Sequence, residues 1–503
     1  MAEDRQLARA MARLDGLTNW ERRPRGMMRV GIEPMLDLAA RLGDPQKSFR
    51  SIHVAGTKGK GSVSALIEVA LARAGLRVGR YASPHVERLT ERVSLDGREI
   101  DEASLARALD SALDAYETAR KAATPAGDAT WFDLLTAAAF IIFAETLREW
   151  VVVEVGLGGR LDSTNIVDGE IAVVTNIGLE HTEILGHTRA AIAREKVGIL
   201  KPGAVLITPL EADDEAGRVI QARADELGSP VIRPHLGLKA TIEQANVSLA
   251  GAVLDQLGAA GVRGLLAPPP PLRGRDGVGG RADPGTPSVP ARVDVTARKG
   301  DGGATPLPNL LHKGGVGLST RQSTSTQSAP GDAPIAAWLL DAEARAAARL
   351  PGRMERFDIE VGARRLPVVL DGAHVPFNLE AVLRDLARAP DLARPCVAIV
   401  ALAADKDAKG FVTELGKRAS TIVFTDLPGS NRGRSPAELQ GLASSLGLKS
   451  EAEPDVKLAF RRGAELATQA NEWLLVTGSL YLVGALRGAV VEAAQAPSQV
   501  RAR

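Results

Sequence analysis

The sequence predicts two α/β domains in tandem, and three observations carry that reading. Short β-branched runs alternate with Ala/Leu/Arg-rich stretches of helical period through residues 1–349, and the scheme repeats from 350 to 503. The runs are apolar on both faces, the pattern of parallel strands covered by helices on each side. The first run passes directly into Gly56-Thr57-Lys58-Gly59-Lys60-Gly61-Ser62, a glycine loop that opens a helical segment.

Taken in order, the N-terminal strands are expected at 52–55, 78–81, 151–155, 171–175 and 205–208. A helix over 62–74 joins the first two, with Gly75 as its stop. Residues 267–334 break the pattern: PPPPLRGRDGVGGRADPGTPSVP and STRQSTSTQSAPGDAP are dense in Pro, Gly, Ser and Thr. Such a segment cannot offset its ordering entropy by burial, so it reads as a disordered insertion. The smaller C-terminal domain places strands at 368–370, 397–402, 422–425 and 474–476.

Composition excludes several classes. Among 503 residues, 62 Lys and Arg face 61 Asp and Glu, a net charge of +1 that gives no field for nucleic acid or a membrane surface. Nine Phe, five Trp and three Tyr are too few for a stacking platform on single strands. The one cysteine, Cys396, excludes an intrachain disulfide framework and a cysteine-built zinc site. The opening MAEDRQLARAMARLDGL has no apolar signal core and no run is long enough to span a bilayer, so a cytoplasmic protein is expected.

Ligands in open parallel sheets bind beyond the carboxyl ends of the strands, and chemistry-bearing residues gather there. The glycine loop lets backbone N–H groups approach phosphate oxygens, and Lys60 adds a mobile charge. The strict pattern G-x-x-x-x-G-K-[ST] is not met, because Val54 holds the first glycine position and Gly61 separates Lys60 from Ser62. Glu154 ends the third strand before Gly156-Leu157-Gly158-Gly159, a setting for a hard metal ion with bound phosphate, or for a carboxylate that bonds loop amides. His181 follows the fourth strand. Lys196, between Glu195 and Val197, reads from its neighbours as an exposed helical lysine.

The motifs IHVAGTKGKGSV, YASPHVERLTERV, VVEVGLGGRLDSTN, NIGLEHTEILG and AREKVGILKPG resemble, in order, those of the folylpolyglutamate synthase/dihydrofolate synthase family of Mur ligases. LPGRMERFD, VVLDGAH, ADKD and VTGSLYLVG continue the resemblance in the C-terminal part. It implies a phosphate-loop ATPase-type N-terminal domain and a Rossmann-like glutamate-ligase domain. It further implies that Gly56, Thr57, Lys58, Gly59, Lys60, Gly61 and Ser62 hold the phosphates of ATP. Ser83, Glu154 and His181 would bind Mg²⁺, and a monovalent cation is allowed. Lys196 matches the lysine that the family carries as a carbamate. Arg353, Asp371 and His374 would reach ATP from the second domain, Asn246 would lie near the adenine, and Thr130, Trp131, Phe132 and Asp133 would line the folate-side pocket. Lys60, Lys196 and His374 are the expected catalytic residues.

Three positions depart from the family's usual pattern. Lys58 stands where many members carry Asn, Val375 where Asn or Thr is common, and the segment 240–245 before Asn246 lacks an upstream His-Gln. The expected activity is ATP-dependent addition of L-glutamate to tetrahydrofolate, and to dihydropteroate as well, through an acyl phosphate and by a monomer. The alternatives are a monofunctional dihydrofolate synthase and a nucleotide-binding relative without catalysis. A peptidoglycan-precursor ligase fits the SPHVERLTERV and GSLYLVG segments poorly.

Overall fold

The computed structural model describes residues 2–21, 31–237, 239–265, 333–362, 364–429 and 432–495. Of the expected insertion, 267–332 lies outside the described residues. Ala333 and Pro334, assigned to it from sequence, are instead ordered by antiparallel pairing with Gly264 and Arg263.

The N-terminal sheet has eight strands: β1 (Arg50–Ala55), β2 (Val78–Tyr81), β3 (Val93–Leu95), β4 (Arg98–Glu99), β5 (Trp150–Glu154), β6 (Gly169–Val174), β7 (Val205–Ile207) and β8 (Val231–Ile232). Their order is β4-β3-β2-β5-β1-β6-β7-β8. β2, β5, β1, β6 and β7 run parallel, as their two-sided apolar runs predict, and the two-residue β8, not anticipated, adds parallel at the far edge. β3 and β4 extend one edge antiparallel and were not anticipated. They are short and join by the Asp96-Gly97 turn, so they carry no apolar run to detect.

Both faces are covered. Helix Lys60–Arg73 is buried on nearly every side between the sheet and helix Ile242–Ala259. Helices Glu102–Lys121 and Trp131–Glu145 cover the opposite face.

A short β9 (Arg263–Gly264) and β10 (Ala333–Pro334) precede the second sheet, whose strands are β11 (Glu355–Val361), β12 (Arg364–Leu370), β13 (Cys396–Val400), β14 (Ala419–Phe424), β15 (Ser450–Ala452) and β16 (Trp473–Thr477). The order is β11-β12-β16-β13-β14-β15, parallel except for the antiparallel edge strand β11. β11 alternates exposed positions with half-buried ones and the buried Ile359, which hides it from a search for two-sided apolar runs. Among the described residues no helix is long and apolar enough to cross a membrane.

Candidate active site

The chain leaves β1 for β2 by stepping over the place that β5 later fills, and β6 then adds on the other side of β1. This reversal is the topological switch point, where a crevice opens at the carboxyl ends. The loop after β1 occupies it. A Cβ at Gly56, whose φ is +147°, would collide with Thr175 Oγ1 at the exit of β6. Gly59, at φ +84°, carries Asn246 Oδ1 only 2.7 Å from where its Cβ would stand. Only glycine fits either position.

Asn176 fixes the loop from the side. Its Oδ1 accepts the Lys58 N–H at 2.9 Å and its Nδ2 donates to the Lys58 carbonyl at 2.9 Å. Thr175 Oγ1 donates to the same carbonyl at 2.6 Å. Helix Lys60–Arg73 begins at once, so its first N–H groups and positive dipole end face the crevice.

Glu154 ends β5 beside this loop, buried, with Gly61 lying against it. Its Oε2 accepts the Ser83 N–H at 3.3 Å. Burial raises its pKa, while Lys60 and Arg353 pull the other way.

Lys196 is the main reversal of the local reading. It is only 5% exposed, and its Nζ donates to the Gly56 carbonyl at 2.9 Å. Gly159 permits this, since a Cβ there would stand 2.9 Å from the carbonyls of Glu195 and Lys196 and push the helix Arg189–Val197 away. Lys60 Nζ donates to the same Gly56 carbonyl at 3.2 Å. Burial, then the charges of Lys60 and Lys58, lower Lys196 to about 7, against the pull of Glu180 and Asp162.

The C-terminal sheet presents its carboxyl ends to the same crevice. Asp371 follows β12 and accepts the N–H groups of Met354 and Ala373, both at 2.8 Å. Burial raises its pKa, with Arg353 opposing. His374 Nδ1 lies 2.8 Å from the Gly372 carbonyl. Its Nε2 lies 2.7 Å from Glu180 Oε1 and 3.0 Å from Lys58 Nζ, so the imidazole meets groups from the other sheet. Burial and the charge of Lys58 push His374 down to about 4, against Glu180. Burial alone would raise Glu180, but Lys58, His374 and His181 outweigh it and hold the carboxyl well below its usual range. Lys406, after β13, adds a further cation 3.6 Å from Glu180. Val375 takes the N-cap position of helix Pro376–Leu386 and provides no side-chain cap.

These groups line one cavity of about 1630 Å³ shared by both sheets. Thr57, Lys58, Gly59, Lys60, Gly61 and Ser62 line it, as do Ser83, Glu154, His181, Asn246, Arg353, Asp371 and His374. Gly56 and Lys196 stand behind the loop. Thr130, Phe132 and Asp133 line the far end, but Trp131 does not: its ring is buried beneath Arg92, whose guanidinium carbon is 5.0 Å from the ring centroid. Thr130 caps the helix with Asp133 in a reciprocal box, which turns position 131 inward.

Glu180, Lys406, Thr175 and Asn176 were not singled out from sequence. Thr175 and Asn176 directly follow β6, and Glu180 and Lys406 lie in the loops that leave β6 and β13; a place in a loop at a strand's carboxyl end is the signal that could have found them. His181, Glu183 and Asp405 place ligand atoms within 4.8 Å of one another across the crevice.

Two family models match: the Mur ligase middle domain over residues 54–251 and the Mur ligase glutamate ligase domain over 352–480. A dihydrofolate synthase/folylpolyglutamate synthase of Bacillus subtilis is 40% identical over 210 residues, 41% of this chain and 48% of that protein. The aligned stretch thus spans about half of that relative. A folylpolyglutamate synthase of Lacticaseibacillus casei is 29% identical over 90% of this chain and 92% of its own. Among solved structures, a bifunctional folylpolyglutamate synthase/dihydrofolate synthase of Yersinia pestis, complexed with AMPPNP and Mn ion, matches with a TM-score of 0.66. It is 26% identical over 96% of this chain and 98% of its own.

Proposed function

The chain belongs to the folylpolyglutamate synthase/dihydrofolate synthase family of ATP-dependent Mur ligases, and from that premise we propose that it adds L-glutamate to tetrahydrofolate and to dihydropteroate. The observation that carries the reading is the junction at the switch point. One buried carboxylate, two lysines on a single carbonyl, and a histidine from the second sheet converge on one phosphate loop.

A carboxylate accepts an amine poorly, because oxide is a poor leaving group. Transfer of the γ-phosphoryl group to the carboxylate oxygen gives an acyl phosphate and ADP. The glutamate nitrogen then attacks the acyl carbon, the C–O bond to phosphate breaks, and the amine proton is released with inorganic phosphate. Phosphoryl transfer needs positioning and charge neutralisation more than covalent help. The loop amides and Lys60 hold the phosphates, Asn246 stands by the adenine, and Arg353, Asp371 and His374 close on the nucleotide from the second sheet. Residues of both sheets wall the cavity, and closing it over the acyl phosphate would keep water from that intermediate.

The donors present fit a divalent cation: Glu154 offers a buried carboxylate, Ser83 a hydroxyl and His181 an imidazole. Mg²⁺ there would neutralise charge on the phosphates. Lys196, lowered to about 7, has the neutral amine that CO₂ needs to form a carbamate. Thr130, Phe132 and Asp133 line the acceptor end. We take 349/350 as the domain division. One chain supplies both halves of the cleft, so a monomer suffices. The test is ADP release by purified protein: turnover should require both glutamate and a pteroate or folate acceptor. Absence of ADP release under every combination of glutamate and acceptor would favour the non-catalytic relative.

A further inference from the structure

The Lys58 side chain is largely buried and does not simply point at solvent. Its backbone is fixed at both ends by Asn176 and Thr175, so the side chain leaves from a rigid base. Nζ then lies 3.1 Å from Glu180 Oε1, at the exit of the first sheet, and 3.0 Å from His374 Nε2, on the second. The His374 ring is held on its other side by the Gly372 carbonyl. An asparagine at 58 is two bonds shorter beyond Cβ and could not reach the imidazole.

We propose that Lys58 is a positioning residue that joins the two domains across the phosphate loop, holding the His374 ring against Glu180 at the reacting phosphoryl group. An ammonium has three N–H donors, and the two contacts above use two of them. The third can meet a phosphoryl oxygen, so Lys58 links nucleotide and domain closure through one atom. Lys406, 3.6 Å from Glu180, and His181, 3.7 Å from it, face the same carboxylate.

This inference rests on the ligase reading, and the experiment separates the two. Lys58→Met and Lys58→Asn are each made in the parent and in His374→Ala, and kcat, ATP KM and melting temperature are measured. In the parent background each should lower kcat by about 10- to 100-fold, the size of a lost charge-assisted hydrogen bond. ATP KM should change less than about threefold, and adding either to His374→Ala should cost less than about threefold more, because the two residues act as a unit. Should Lys58→Met fail to fold, Lys58→Asn decides. A raised ATP KM with unchanged kcat would make Lys58 a phosphate contact only and overturn the proposal, as would a fully additive loss in the double variants. A parent protein without acceptor-dependent ADP release would instead overturn the ligase reading beneath it.

Discussion

Replacing Lys196 tests whether this buried amine carries chemistry. An unshifted lysine at pKa 10.5 is neutral in about one molecule in 3,000 at pH 7, whereas at about 7 roughly half are neutral. Burial and the Lys60 charge thus enrich the form that adds CO₂ by about three orders of magnitude. Lys196→Arg keeps a cation but cannot become the carbamate anion. Its turnover should fall on the order of 10²- to 10³-fold, as when one preorganised group is lost from a site. Lys196→Ala should fall similarly and regain rate with added acetate or formate. The parent should lose rate as pH drops through about 7, since protonation removes the neutral amine. The same depression weakens the fold, because the unfolded chain binds the proton more tightly, so Lys196→Met should raise the melting temperature near neutral pH. Folate-dependent ADP release, with ¹³C NMR of protein equilibrated in ¹³C-bicarbonate, reads the outcome. Arg and Ala variants as active as the parent, with no carbamate carbon signal, would refute the reasoning.

Lys60→Ala should abolish acceptor-dependent ATP turnover with little change in melting temperature, because the side chain lies at the cavity and not in a core. Deleting 268–331 should leave melting temperature and rate nearly unchanged: Gly264 and Ala333 already pair, and closure entropy varies only weakly with loop length. Arg80→Met should cost about 3–5 kcal/mol in denaturant unfolding, since it strands Glu68, a buried carboxylate 2.7 Å from Arg80 Nε. Glu68 also holds Ser94 Oγ and the Gly97 N–H, which ties the antiparallel edge to the main sheet.

The long parallel strands and the glycine loop were legible in the sequence because both are local properties. A strand buried on both faces is apolar at most positions, and a loop that closes on Thr175 and Asn246 must be glycine at Gly56 and Gly59. The motif order also located Glu154, His181 and the residues of the second sheet. The antiparallel strands β3, β4 and β11 escaped, as did the short parallel strands β8 and β15, since a half-exposed or very short strand carries no such run.

Tertiary structure alone decided the environment of each charge. Lys196 has the neighbours of a solvated helix, and only the close approach allowed by Gly159 buries it behind Gly56. Trp131 sits within a segment that lines the cavity, yet the capping of its helix turns it to the core under Arg92. Lys58 and His374 are 316 residues apart in the chain and 3.0 Å apart in space. Sequence specifies which groups can ionise or donate. Whether they do depends on desolvation and on charges brought from distant segments, and those are set by how the two sheets face each other.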